Sequence, residues 1–152
     1  MIKKILLSIV FVTLLNSCSD DNDVNNSNGQ LEINSQNLLG KWYVKGGTKD
    51  GGAFQSYNHE CNSSRDYQEF LSNNNLDFIG FSSDCVVNDT ETSLWSLADS
   101  NLTVSNLPSE QGNFTYNYHY TIISLTSSEL QLKQIVNEPE GQSVYISYFT
   151  RN

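Results

Sequence analysis

Basic side chains are scarce in this sequence: eight Lys and Arg stand against seventeen Asp and Glu, for a net charge of −9. The few basic residues form no stripe, so a phosphate backbone would be repelled and nucleic acid is excluded as a partner. Histidine is limited to His59 and His119, and cysteine to Cys18, Cys61 and Cys85. No zinc pattern, nucleophile elbow or phosphate-binding glycine loop is present. The chain is therefore not read as an enzyme, and neither a catalytic residue, a metal nor a cofactor is expected. Carboxylates that could be paired as acid and base, Asp66 with Glu69 or Glu138 with Glu140, are expected to be solvated in so acidic a chain. Proline occurs only as Pro108 and Pro139, neither inside a run of strand-forming residues. Helical periodicity is missing apart from one turn around residues 35–39. Beyond the first fifteen residues no apolar run is long enough for a spanning helix.

What is there begins with three consecutive regions. Lys3 and Lys4 precede an apolar run from Ile5 to Leu15, which falls well short of the roughly 20 residues a spanning helix takes. A positive start, a short apolar core and a small residue at the cut read as a secretory signal over residues 1–17. The closing Leu15-Asn16-Ser17-Cys18 resembles the lipobox of bacterial lipoproteins, which implies a lipid on Cys18 and attachment to the outer membrane through it. Directly behind stands Ser19-Asp20-Asp21-Asn22-Asp23. It resembles the acidic export signal of Bacteroidota lipoproteins, which implies display on the cell surface. Residues 18–36 are rich in Asn, Asp and Ser, with only Val24, Leu31 and Ile33 as larger apolar side chains. Too little can be buried there to order the segment, so a flexible tether with a reach of about 20–25 Å is expected. Residues 37–152 then form the folded domain.

With Cys18 assigned to the lipid, Cys61 and Cys85 remain. In an oxidising compartment two such thiols pair, and the loop of about 25 residues would contribute roughly 3–4 kcal/mol on the chain-entropy model. A rival reading takes His59, Cys61 and Cys85 as metal ligands, but it lacks a fourth ligand at a usual spacing.

From Leu38 onward, strand-forming runs alternate with turn signals. Trp42–Val44 opens the first, and Gly46-Gly47 with Asp50-Gly51-Gly52 end it; Ala53–Asn58 is a weaker candidate. Asp66–Leu71 and Leu76–Phe81 flank an Asn-rich turn, and Asn tolerates the left-handed backbone such turns need. Thr92–Leu97 and Asn101–Ser105 flank Ala98-Asp99-Ser100. Thr115–Leu125, Glu129–Val136 and Ser143–Arg151 complete the set. Tyr116, Tyr118, Tyr120 and Ile122 alternate with polar residues, as do Leu130 and Leu132, and Val144, Ile146 and Tyr148. Turns every 8–12 residues suit an all-β sandwich or barrel.

Leu38-Leu39-Gly40-Lys41-Trp42 resembles the Gly-x-Trp entry of lipocalins. In order behind it come Cys61, Asp66-Tyr67-Gln68-Glu69-Phe70, Cys85, Leu94-Trp95-Ser96-Leu97, Ile122–Leu130 and the closing Tyr148-Phe149-Thr150-Arg151. Together they resemble the short lipocalin-like lipoproteins of Bacteroidota across roughly Leu38 to Arg151. The resemblance implies a small antiparallel meander β-barrel of about eight strands, with a disulfide where Cys61 and Cys85 stand. It also implies that Arg151 lies across Trp42 to close one end, and that a small apolar or amphipathic ligand is the partner. The alternative is a filled barrel whose loops meet a protein or a glycan. The aromatics Trp42, Tyr67, Phe70, Phe78, Phe81, Trp95, Tyr116, Tyr118 and Tyr120 are expected mainly as core, with a share available to line a pocket.

Since a single acyl chain anchors only marginally, Cys18→Ser should abolish incorporation of labelled fatty acid and leave the protein soluble or uncleaved. Labelling that survives the substitution would refute the lipid assignment.

Overall fold

A computed structural model describes residues 29–106 and 116–151. The expected signal segment, Cys18, the expected tether up to residue 28 and the residues around Pro108 lie outside these. The elements are α1 (Ser35–Leu38), β1 (Gly40–Lys49), β2 (Gln55–Ser56), β3 (Tyr67–Phe70), β4 (Asn75–Phe81), β5 (Val87–Ala98), β6 (Asn101–Asn106), β7 (Asn117–Leu125), β8 (Glu129–Glu138) and β9 (Gly141–Thr150). From β3 to β9 each strand pairs antiparallel with the next. β1 closes the circuit, pairing with β3 through Gly40–Tyr43 on one edge and with β9 through Tyr43–Lys49 on the other. β2 is a two-residue addition to β1 at Gly46 and Gly47. The closed wall therefore has eight strands in meander order, as the sequence resemblance implies, and closure leaves no long free edge.

Turn chemistry sets the corners. Asn74 and Asp99 take left-handed φ values of 67° and 54° in the β3–β4 and β5–β6 turns, a conformation that Asn and Asp tolerate better than most residues. Two strand boundaries depart from the sequence reading. β1 runs through Gly46-Gly47 and stops only at Lys49, before Asp50-Gly51-Gly52: the register slips between Val44 and Gly46, and Gly46 has a φ of 148°. A Cβ on Gly46 would lie 2.2 Å from the Gln55 carbonyl oxygen, so the glycine admits β2 rather than ending β1. β5 starts at Val87, ahead of the expected Thr92. Its first residues are exposed and are held by pairing with β4, so no hydrophobic alternation marks them.

Residues 30–33, expected as part of a flexible tether, are held against the barrel. Gln30 bridges to Thr126, the Leu31 amide donates to the Leu125 carbonyl at 2.8 Å, and Leu31 and Ile33 pack against the core. Two apolar residues spaced to share one face suffice to strap residues 30–33 across the barrel end.

Buried side chains gather at that end. Leu38, Trp42, Phe70, Leu76, Trp95 and Leu102 join Ile122, Leu125, Leu130, Leu132 and Phe149 in one cluster, contributed by the starts of β1, β4, β6 and β8 and the ends of β3, β5, β7 and β9. The short helix α1 plugs it. Asn34 caps the helix, its Oδ1 accepting from the Asn37 amide at 2.9 Å. At the other end Trp42 Nε1 donates to the Leu38 carbonyl at 2.8 Å. Arg151 Nη2 donates to the Asn37 and Leu39 carbonyls at 2.6 and 3.0 Å, and the guanidinium carbon lies 4.2 Å from the Trp42 ring centroid. Gly40, with a φ of 104°, makes the bend from helix to strand, a conformation that any side chain would strain.

Trp42→Ala should cost about 3–5 kcal/mol, the usual range for a buried Trp. Arg151→Ala should cost less, although the cation over the indole contributes about 0.5–2 kcal/mol. The double mutant should fall short of the sum. Denaturant melts of the four proteins check this, and strict additivity would show that the contact carries no energy.

Candidate functional site

Strand pairing and pleat assign the inner face of the barrel. Leu76, Phe78 and Gly80 on β4 face in, with Asp89, Glu91, Ser93 and Trp95 on β5, Leu102, Val104 and Asn106 on β6, and Tyr118, Tyr120 and Ile122 on β7. Near the plugged end these positions are large and apolar. Further up they shrink or turn polar, and the interior opens. An inner chamber of about 100 Å³ is bounded by Phe70, Leu76, Leu102, Leu132 and Phe149. Above it a wider space of about 350 Å³ is bounded by Phe78, Asp89, Glu91, Asn106 and Tyr118. Gln68, Leu76, Val104 and Tyr120 line both, so the two form one tapering cavity. A third hollow, of about 430 Å³, lies between the β1–β2 hairpin and β9 and shares Ser147 with the inner chamber. Although larger, it is walled in part by Gly47, Gly52 and Ala53, which offer little to grip a ligand. The tapering cavity, with its apolar floor and a few polar groups, is the better candidate.

The aromatics sort accordingly. Trp42 and Trp95 are core, Phe70 is core and floor, and Phe78, Tyr118 and Tyr120 line the cavity. Tyr67 is on the outer face, beneath the Lys41 ammonium at 4.4 Å, and its ring lies 6.4 Å from that of Phe81. Tyr116 is exposed.

On the β8–β9 side the inner wall carries a polar network. Glu138 accepts from Tyr145 Oη at 2.5 Å, from Lys49 Nζ at 2.9 Å and from Ser143 Oγ at 2.9 Å. Stabilised first by the Tyr145 hydroxyl and then by Lys49 and Ser143, its carboxyl is held down to about 2. Glu138 is thus a fixed structural group, while Glu140 stands exposed in the turn before β9.

The Cys61–Cys85 disulfide ties the long segment between β2 and β3 to the β4–β5 turn at the open end, with Cα atoms 4.9 Å apart. Beside it lies the one carboxylate for which surface exposure was the wrong expectation. Asp66 is only 4% exposed. It accepts from Tyr57 Oη at 2.7 Å and from the Phe81 amide at 2.9 Å, and this bond to Asp66 pushes the Tyr57 hydroxyl up to about 12. His59 Nδ1 accepts from the Asp66 amide at 3.0 Å, which leaves Nε2 to donate to the Val44 carbonyl at 2.9 Å. Both ring nitrogens are therefore committed to backbone groups and both sulfurs to each other, so the rival metal reading has no free ligands. Glu69 does not join Asp66; it lies 3.9 Å from Lys41 on the outer face. His119 is on the outer face of β7, 3.3 Å from Thr103 Oγ1.

Sequence reasoning singled out neither Asp89, Glu91, Asn106 nor Gln68. The signal existed in β5, where Asp89, Glu91, Ser93 and Trp95 follow period two, but only a strand begun at Val87 displays it.

The profile of a family described as a lipocalin-like domain matches residues 38–132. A lipocalin-like protein from Bacteroides uniformis ATCC 8492 superimposes with a TM-score of 0.55 at 18% identity, over 76% of this chain and 99% of that one. An uncharacterized protein from Bacteroides eggerthii DSM 20697 gives 0.54 at 13% identity, over 76% and 99%. Lobster apocrustacyanin A1 gives 0.50 at 12% identity, over 78% and 63%. At such identities the likenesses carry the fold alone. No curated protein matches the chain.

A carbon-detected NMR titration of Glu138 should give a midpoint near 2, and Tyr145→Phe or Lys49→Ala should move it up toward 4.5. Because the folded value is depressed, the stability this network adds is present above about pH 4.5 and is lost as pH falls through about 2. A native midpoint already near 4.5 would remove the network from the wall.

Proposed function

The chain belongs to the lipocalin-like domain family, and on that premise we propose that it is a lipid-anchored binding protein whose barrel holds one small apolar or amphipathic molecule. The observation that carries this reading is the tapering cavity, roughly 350 Å³ above and 100 Å³ below, with an apolar floor and rings along its wall. An eight-stranded barrel is wide enough either to be filled by its own side chains or to hold one small ligand. Here the filling stops at the level of Leu76, Val104 and Tyr120, which favours the second case over a filled interaction module. The lipid on Cys18 and the acidic residues behind it support attachment to the outer membrane and display on its outer face. No group of His, Cys, Asp and Glu among the described residues is arranged to hold a metal ion, and binding without turnover is the activity proposed.

Native mass spectrometry of protein purified from its own host tests this. A reproducible bound small molecule is expected, and Val104→Trp, which pushes an indole into the shared part of the cavity, should abolish it at a stability cost of about 1–3 kcal/mol. Repeated absence of added mass from the unaltered protein, with a protein or glycan recovered by crosslinking, would overturn the reading.

A further inference from the structure

The cavity is polarised, and its polarity points to a kind of ligand. Its floor is hydrocarbon: Phe70, Leu76, Leu102, Leu132 and Phe149. Its upper wall carries the carboxylates of Asp89 and Glu91, two positions apart on the inner face of β5. Both residues are exposed at the mouth, and no Lys, Arg or His lines this cavity. The cations that might have neutralised them are engaged elsewhere. Lys49 is bound to Glu138, Lys41 and Lys45 pair with Glu69 and Glu129, Arg65 lies over the Tyr43 ring and Arg151 is at the plugged end. Lys133 belongs to the outward-facing register of β8, next to the inward Leu132. Phe78, Tyr118 and Tyr120 complete the upper wall.

We propose, resting on the reading of this cavity as a ligand site, that its ligand is a cationic amphiphile: an organic amine or quaternary ammonium with one apolar chain. The chain enters the hydrocarbon floor and removes apolar surface from water. The head remains at the level of Asp89 and Glu91, where two carboxylates attract it and the rings add cation–π attraction. A fatty acid in the same pose would bring its carboxylate against two others, an arrangement that costs affinity. The protein's net negative charge extends the same preference to the encounter, drawing cations toward the mouth.

The experiment uses the full chain carrying Cys18→Ser, so that no lipid or detergent competes, and isothermal titration calorimetry with three probes of equal chain length below their micellar concentrations. Decyltrimethylammonium should bind about tenfold or more tighter than decanoate, with decanol between them. Asp89→Asn combined with Glu91→Gln should bring the three probes within a few-fold of one another and leave decanol unchanged. A control of equal charge loss away from the cavity, Asp77→Asn on the outer face of β4 with Asp99→Asn in the β5–β6 turn, should retain the preference. Binding of all three probes that Val104→Trp abolishes, but with decanoate equal to or tighter than the cation, would overturn the cationic assignment while the cavity stands as a ligand site. If the control pair erases the preference as fully as the inner pair does, it belongs to net charge and the assignment to Asp89 and Glu91 fails. No binding of any probe would count against the ligand site itself.

Discussion

The plug at one end of the barrel sets the terms for everything above it. Residues from the two extremes of the domain meet there: Trp42 Nε1 and the Arg151 guanidinium satisfy carbonyls at the end of α1, and the guanidinium covers the indole. A four-residue helix cannot persist alone, because nucleation is costly and few internal bonds repay it. It forms because its free carbonyls receive donors from β1 and from the end of β9, and because Leu38 is wholly buried. Closing the sheet brings Trp42 under Arg151, and that contact in turn holds β1 in register beside β9. Sealing this end consumes the large apolar side chains, which leaves the other end hollow.

The open end is held by different means, since it has no core of its own. A disulfide fastens the β2–β3 segment to the β4–β5 turn. A buried carboxylate, Asp66, gathers the Tyr57 hydroxyl and the Phe81 amide, while its own amide is bound by His59. On the opposite wall Glu138 gathers Tyr145, Lys49 and Ser143. These are polar and covalent ties doing the work that hydrocarbon does below, and they hold a mouth open without filling it. A cavity persists where side chains cannot collapse into it, and here the closed strand circuit prevents that collapse. Binding capacity thus follows from an uneven distribution of apolar bulk along one barrel axis.

Much of this was legible in the residues themselves. Period-two alternation in β7 to β9 and the turn residues between the runs announced the strands, and the resemblance to the lipocalin Gly-x-Trp entry implied the closure of one end by Trp42 and Arg151. Glycine was a poorer guide. Gly46-Gly47 looks like a terminator, yet it serves a bulge and a close approach by Gln55, a demand visible only once β2 is in place. The early part of β5 was hidden for the opposite reason, since an exposed ribbon held by backbone pairing has no hydrophobic signature. Leu31 and Ile33 looked too sparse to order a polar segment, but a preformed apolar end gives them something to bury against.

What the sequence determined by itself is local: the number of strands, the side of each strand that carries apolar residues, the turns that tolerate a left-handed backbone, and a pair of cysteines free to join. Each depends on neighbours a few positions away, so each leaves a periodic or compositional trace. The tertiary structure alone decided which inward residues share a level. Level is set by the stagger between strands around the closed barrel, and that stagger brings Asp89 and Glu91 together with Tyr118, Phe78 and Asn106 from four strands. It likewise buries Asp66 among donors that lie 9 and 15 residues away. Alternation says that a side chain points inward; only closure of the sheet says what it meets there.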